Sequence, residues 1–142
     1  MALIEWGPQL EVGFGDIDVQ HQRLVRLLNE LEEAAASSDD PHGQLGQVLA
    51  ELVRYTQVHF AFEERLMATY ALEGHEASRR HREEHRALTG QVLAYRDRFV
   101  SGEAELDADV LAFLRDWLRS HILGTDRGFA RALIDAGAHS AA

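Results

Sequence analysis

Four apolar stripes at helical spacing, separated by three turn-forming stretches, constrain the fold of this chain more than any other feature. From Asp18, a good N-cap, residues His21, Leu24, Leu28, Leu31 and Ala35 recur at steps of three and four. The run stops at Ser37-Ser38-Asp39-Asp40-Pro41-His42-Gly43, the strongest turn signal in the chain. A second stripe runs Leu45, Leu49, Leu52, Thr56, His59, Glu63, Leu66 and weakens near Ala71-Leu72-Glu73-Gly74. The third is His81, His85, Leu88, Val92, Tyr95, Phe99, ended by Ser101-Gly102. The fourth runs Val110, Leu114, Trp117, His121 and continues less regularly through Gly124 to Leu133. No strand-period alternation competes. The spacing predicts an all-α protein, an antiparallel up-down-up-down four-helix bundle over residues 18–136. Residues 1–17, punctuated by Gly7, Pro8, Gly13 and Gly15, read as an irregular arm that packs its apolar side chains on the bundle. Residues 137–142 read as a frayed tail.

Composition narrows the class. A chain of 142 residues is one ordinary domain. The absence of cysteine excludes disulfide scaffolds, thiolate zinc sites, iron–sulfur clusters and cysteine nucleophiles. A formal charge of −10 repels phosphate backbones and anionic lipid, so no nucleic-acid or membrane partner is expected. The start, MALIEWGPQL, has neither the basic end nor the apolar centre of a signal peptide. No apolar run reaches the ~18–20 residues of a spanning helix. A cytoplasmic, monomeric single domain over 1–142 is the expectation.

Of the eight histidines, His21, His59, His81, His85 and His121 lie on the core-facing stripes, as does Glu63. In an antiparallel hairpin, residues equidistant from the turn share a level. His21 and His59 are centred on Asp40, His59 and His85 on Leu72, and His85 and His121 on Glu103, each within a turn. All four helices therefore bring a histidine to one layer. His59 with Glu63, and His81 with His85, are four apart and project side by side. Asp126 follows His121 by five, about 140° round a regular helix. Either these two side chains splay toward different metals, or the helix bulges locally, which Gly124 between them permits.

A lone histidine on an apolar stripe is usually a core or boundary residue with its own partners. Five at one level would need five partner sets, and each unmet buried polar group costs roughly 1–3 kcal/mol. Buried carboxylates must also be paired or bind a cation. A metal answers all of these demands together. The set is too large for one four-coordinate zinc and lacks the oxygen excess of a calcium or magnesium site. Two first-row ions sharing two carboxylates fit the donor count, and imidazole suits iron.

The pattern His21, His59-xxx-Glu63, His81-xxx-His85, His121-xxxx-Asp126 resembles the hemerythrin family, in particular single-domain bacteriohemerythrins. The opening Trp6, then Val12-Gly-Phe-Gly-Asp-Ile-Asp-Val-Gln-His21, is similar to that family's N-terminal arm, and His59-Phe60, Glu63-Glu64, Trp117-Leu118 and His121-Ile122 match as well. The stretch between Glu63 and His81 departs from the family pattern: it is longer, lacks the usual Tyr-Pro turn and contains His75. The resemblance implies two iron ions cycling between Fe2+ and Fe3+ under an oxo or hydroxo bridge. His81, His85 and His121 would hold one and His21 and His59 the other, with Glu63 and Asp126 bridging. It also implies reversible dioxygen binding for carriage, storage or delivery, with no catalytic residue. An oxygen or redox sensor, or a peroxide or nitric oxide detoxifying catalyst, is the alternative use of the same centre. Phe60, Phe62, Trp117, Ile122 and Leu123 are candidates for the wall of the oxygen pocket. His42, His75 and His139 are expected to be solvated bystanders.

Rival readings fail on spacing. Carboxylate-rich di-iron bundles need Glu-xx-His on two helices, and no histidine here has a glutamate three residues before it. A zincin is excluded because the His75-Glu76 pair lacks a histidine at position 79.

Overall fold

The computed structural model describes residues 4–37, 41–103, 105 and 107–140. Helix α1 covers Gly15–Ser37, α2 Pro41–Thr69, α3 Glu76–Val100, α4 Ala108–Ser120 and α5 Arg127–Asp135. Residues His121–Asp126 join α4 to α5 as a single π-helical turn, so the last two form one continuous rod. The architecture is thus the expected four-helix bundle, and no strand occurs among the described residues. The connections at 70–75 and 101–107 straddle the predicted centres of symmetry. The first turn, at residues 38–40, lies outside the described residues, as do the side chain of His42 and the two chain ends.

The stripes face inward as the spacing requires. Leu24, Leu28 and Leu31 of α1, Leu45, Leu49 and Leu52 of α2, and Leu88, Val92 and Phe99 of α3 are all buried. On α4 the buried positions are Leu111 and Leu118, one residue on from the predicted Val110 and Trp117. Val110, Leu114 and Trp117 are half-buried, and Leu114 and Trp117 pack against the core at the edge of a cavity that Leu118 also lines.

Two expectations at the chain ends are corrected. Helix α1 begins at Gly15, so Asp18 lies in its first turn and is not the N-cap. Its carboxylate reaches back to accept from the N–H of Val12 (2.7 Å) and of Gly13 (3.3 Å), which fastens the arm to the helix. Ile4, Leu10, Val12 and Phe14 are buried, and Arg127 of α5 donates to the Gln9 carbonyl at 2.8 Å. The tail is folded back rather than frayed as far as Ser140. Gly137, at φ 88°, ends α5 in the left-handed conformation, and the N–H of Ala138 returns to the Leu133 carbonyl. Ser140 Oγ then accepts from the N–H of Asp16 at 2.7 Å.

The end of α2 has the same design with a less suitable residue. Ala71 takes φ 57°, and the Leu72 N–H closes on the Met67 carbonyl at 2.8 Å while the Leu72 side chain is buried. An L side chain in this region costs about 1–2 kcal/mol, against the roughly 0.5–1 kcal/mol that glycine adds through chain entropy. Ala71→Gly should therefore stabilise the fold by about 0.5–1 kcal/mol, read as a higher urea midpoint at unchanged slope. A lower midpoint would show that the left-handed residue is not under strain.

Candidate metal centre

Every predicted ligand reaches one buried layer. His21, His59, Glu63, His81, His85, His121 and Asp126 are each at most 3% exposed. The i,i+4 pairs stack along α2 and α3 as helix geometry demands. The i,i+5 pair is brought together by the π-helical turn, where the Arg127 N–H donates to the Ile122 carbonyl five residues back. His121 Nε2 consequently lies 3.0 Å from Asp126 Oδ1. Of the two sequence-derived options for this pair, the local bulge is the one adopted. Gly124 permits it without being demanded by space, since a Cβ there would meet nothing within 4 Å.

All five imidazoles turn Nε2 toward the two carboxylates. Asp126 Oδ1 is 2.8 Å from His81 Nε2, and Asp126 Oδ2 is 2.6 Å from His21 Nε2. Glu63 Oε1 is 3.1 Å from His59 Nε2 and 3.2 Å from His85 Nε2. The donors fall into two overlapping sets, whose members lie within 4.8 Å of one another. One set is Glu63, His81, His85, His121 and Asp126; the other is His21, His59, Glu63 and Asp126.

One of these contacts, His21 Nε2 with Asp126 Oδ2, is a hydrogen bond; most of the others are not. Nε2 of His59, His81, His85 and His121, both oxygens of Glu63 and Asp126 Oδ1 are buried with no aligned partner among the described residues. Unmet groups cost roughly 1–3 kcal/mol each, so a set this size rivals the whole stability of a domain. Lone pairs converging on shared points instead of on one another are what bound cations require. The donor set fits two first-row ions.

Electrostatics agree. Burial alone would strip His59 and His81 of protons and force protons onto the two acids. Against that, Glu63 and Asp126 raise His59 to about 10, and Asp126 with Glu63 raises His81 to about 9. The nearby His59 holds Glu63 below the usual carboxylate range despite burial, and His121 does the same for Asp126. Without metal, the layer draws protons into the place of the cations.

The far side of three imidazoles is held from a neighbouring helix. His59 Nδ1 meets Gln20 Oε1 at 2.6 Å, His85 Nδ1 meets Glu64 Oε2 at 3.0 Å and His121 Nδ1 meets Glu84 Oε1 at 3.2 Å. Thr125 Oγ1 donates to both oxygens of Glu84. Sequence reading missed these supports. Their signal was adjacency, because Gln20, Glu64, Glu84 and Thr125 each stand next to a predicted ligand.

Phe60 stacks on His85 with ring centroids 3.8 Å apart, and Trp117 on His121 at 4.6 Å. Both also line a cavity of about 30 Å³ that reaches His59 and His121 among Leu24, Leu28, Leu88 and Leu114. Of the five predicted wall residues, Phe60 and Trp117 are in this lining; Phe62, Ile122 and Leu123 are not. Ile122 is wholly buried in the core, and Leu123 is partly buried and packs against that core. His75 and His139 are exposed.

A four-helix bundle burying five imidazoles around two shared carboxylates is a dinuclear cation-binding protein. The profile of the hemerythrin HHE cation binding domain matches residues 12–133. Bacteriohemerythrin of Pseudomonas aeruginosa is 37% identical over 140 residues, covering 99% of this chain and 85% of its own. Myohemerythrin of Riftia pachyptila is 31% identical over 85% of this chain and 86% of its own. The crystal structure of a wild-type hemerythrin superposes with a TM-score of 0.84 at 31% identity, over 93% of this chain and 98% of that one. The chain belongs to the hemerythrin family. Its class is that of the di-iron, oxygen-binding proteins.

The shifted acids and bases set a pH window for the metal-free chain. His59 and His81 stabilise the fold fully below the ordinary histidine value of 6.5, and that contribution is lost as pH rises through 9 to 10. Glu63 stabilises fully above its ordinary 4.5, and that contribution declines as pH falls from there toward its lowered folded value. After chelation the thermal midpoint should peak between pH 4.5 and 6.5 and drop toward pH 10. Iron-loaded protein should lack the alkaline drop, because its imidazoles are already neutral donors. Identical profiles with and without iron would contradict the assignment of charge.

Proposed function

We propose that this protein binds dioxygen reversibly as a carrier, store or delivery protein. In this reading His81, His85, His121, Glu63 and Asp126 hold one iron, and His21, His59 and the same two carboxylates hold the other. The observation that supports it is the pair of overlapping buried donor sets that share Glu63 and Asp126. When bound, the iron pair supplies two one-electron reductants for dioxygen. The two-histidine set has one protein donor fewer, and the apolar cavity reaches its His59 as well as His121 of the larger set.

The chain's own part is to position and to exclude. Glu63 and Asp126 keep the two sets at a fixed separation, and the helices hold all five rings with Nε2 inward. At about 30 Å³ the cavity has room for a guest of one or two water-sized molecules. Its walls are leucine, valine and aromatic rings, and the one hydroxyl, Thr56 Oγ1, is occupied in donating to the Leu52 carbonyl at 2.7 Å. Splitting bound oxygen would require a positioned proton donor. The Tyr95 hydroxyl donates to the Glu105 carbonyl and lines an outer groove, away from the cavity. An apolar wall without a free acid supports holding oxygen over consuming it. A cysteine-free, acidic chain also fits a cytoplasmic monomer.

The test is iron per chain and the visible spectrum, reduced without air and again after oxygen is admitted. One iron for each donor set and a reversible colour with oxygen are expected. Immediate oxidation without a stable oxygenated form would favour the sensor or catalyst. His59→Ala should lose the iron of the smaller set and oxygen binding together, whereas His75→Ala should retain both. Oxygen binding that survives His59→Ala would overturn the ligand assignment.

A further inference from the structure

The supports behind the histidines form a directed series around the bundle. Gln20 of α1 holds His59 of α2, Glu64 of α2 holds His85 of α3, and Glu84 of α3 holds His121 in the last rod. Each supporting residue is the sequence neighbour of a ligand on its own helix, so one short segment of backbone positions a donor and the next helix's donor at once. The series stops before it closes: His21 Nδ1 is buried with no partner among the described residues.

The supports also differ in charge. With Nε2 turned to the centre, the ring proton sits on Nδ1 and donates outward. In the three-histidine set, two of these protons go to carboxylates, Glu64 and Glu84. In the two-histidine set one goes to a neutral amide, Gln20, and the other has no acceptor among the described residues. A carboxylate acceptor draws the proton away from the ring and makes the imidazole a stronger donor to its metal, while an amide does so far less. Thr125 pins both oxygens of Glu84, which keeps that acceptor in place although its side chain is 43% exposed.

We propose that Glu64 and Glu84 are positioning residues that make the three-histidine site the more electron-rich of the two and favour its ferric state, while Gln20 keeps the two-histidine site poorer. The proposal rests on the ligand reading above. The cavity touches a histidine of each set, and the two-histidine set is the one with a protein donor fewer. The pattern thus gives the two halves of the centre different work through residues that touch neither iron.

The test uses Glu64→Gln and Glu84→Gln, which preserve shape and a hydrogen-bond acceptor but remove the charge, and Gln20→Glu, which adds one. Iron affinity is read by competition with a chelator, and the midpoint potential by spectroelectrochemistry. The two glutamine variants should keep their iron, shift the potential upward and slow spontaneous oxidation; Gln20→Glu should shift the potential down. Glu84→Ala, which removes the acceptor altogether, should weaken iron binding roughly 10–100-fold. Unmoved potentials in both glutamine variants at full iron content would overturn the proposal. So would an upward shift in Gln20→Glu, or loss of iron from the glutamine variants, which would make the carboxylates simple supports. Failure of the unsubstituted chain to bind iron would sink the ligand reading itself, a result separable from all of these.

Discussion

Two carboxylates buried in a layer of imidazoles are the constraint on which the rest of this structure depends. Glu63 and Asp126 are wholly enclosed and lie between four helices, so their charge must be met from within. Five histidines converge on them, and each of the helical rods supplies at least one donor. Any helix that slipped by a single residue would rotate its ligand about 100° out of the layer. The metal centre and the register of the bundle are one specification. That coupling explains why a site of such polarity can sit in the core of a small domain.

The π-helical turn is where this requirement overrides regular geometry. A straight α-helix would separate His121 and Asp126 by about 140°. Widening one turn brings both onto the same face, and the surrounding helix resumes at Arg127 with Phe129, Ala130 and Leu133 directed into the core. Such turns are rare in helices and concentrate at functional sites. Here the local irregularity is compensated by donors that would otherwise lack a common point.

Much of this was legible in the chain itself. The three-and-four spacing of Leu24, Leu28 and Leu31, or of Leu88, Val92 and Phe99, identifies buried helix faces because side-chain direction follows sequence position directly. Symmetry about the turns placed His21, His59, His85 and His121 at one level for the same reason. Less legible were features that depend on backbone departing from its average. Asp18 has the chemistry of an N-cap, yet the helix starts earlier and the carboxylate turns back on the arm. The tail reads as weak in composition, yet Gly137 and Ser140 fold it onto the start of α1. Ile122 and Leu123 follow a ligand in sequence as Phe60 does, yet only Phe60 borders the cavity, so adjacency to a ligand does not by itself identify its wall.

By itself the sequence indicated four helical segments, the buried faces of the first three and the donors that lie on the stripes, since these follow from periodicity and from the cost of burying polar groups without partners. Only the tertiary structure decided what those donors do together. It chose the bulge over the splay at His121 and Asp126, and it left a small apolar space beside His59 that no single helix contains. It also set Glu64 and Glu84 behind histidines of other helices, contacts spanning 21 and 37 residues. A helix's own period cannot encode such partners. They depend on the distance and rotation between helices, which packing alone establishes.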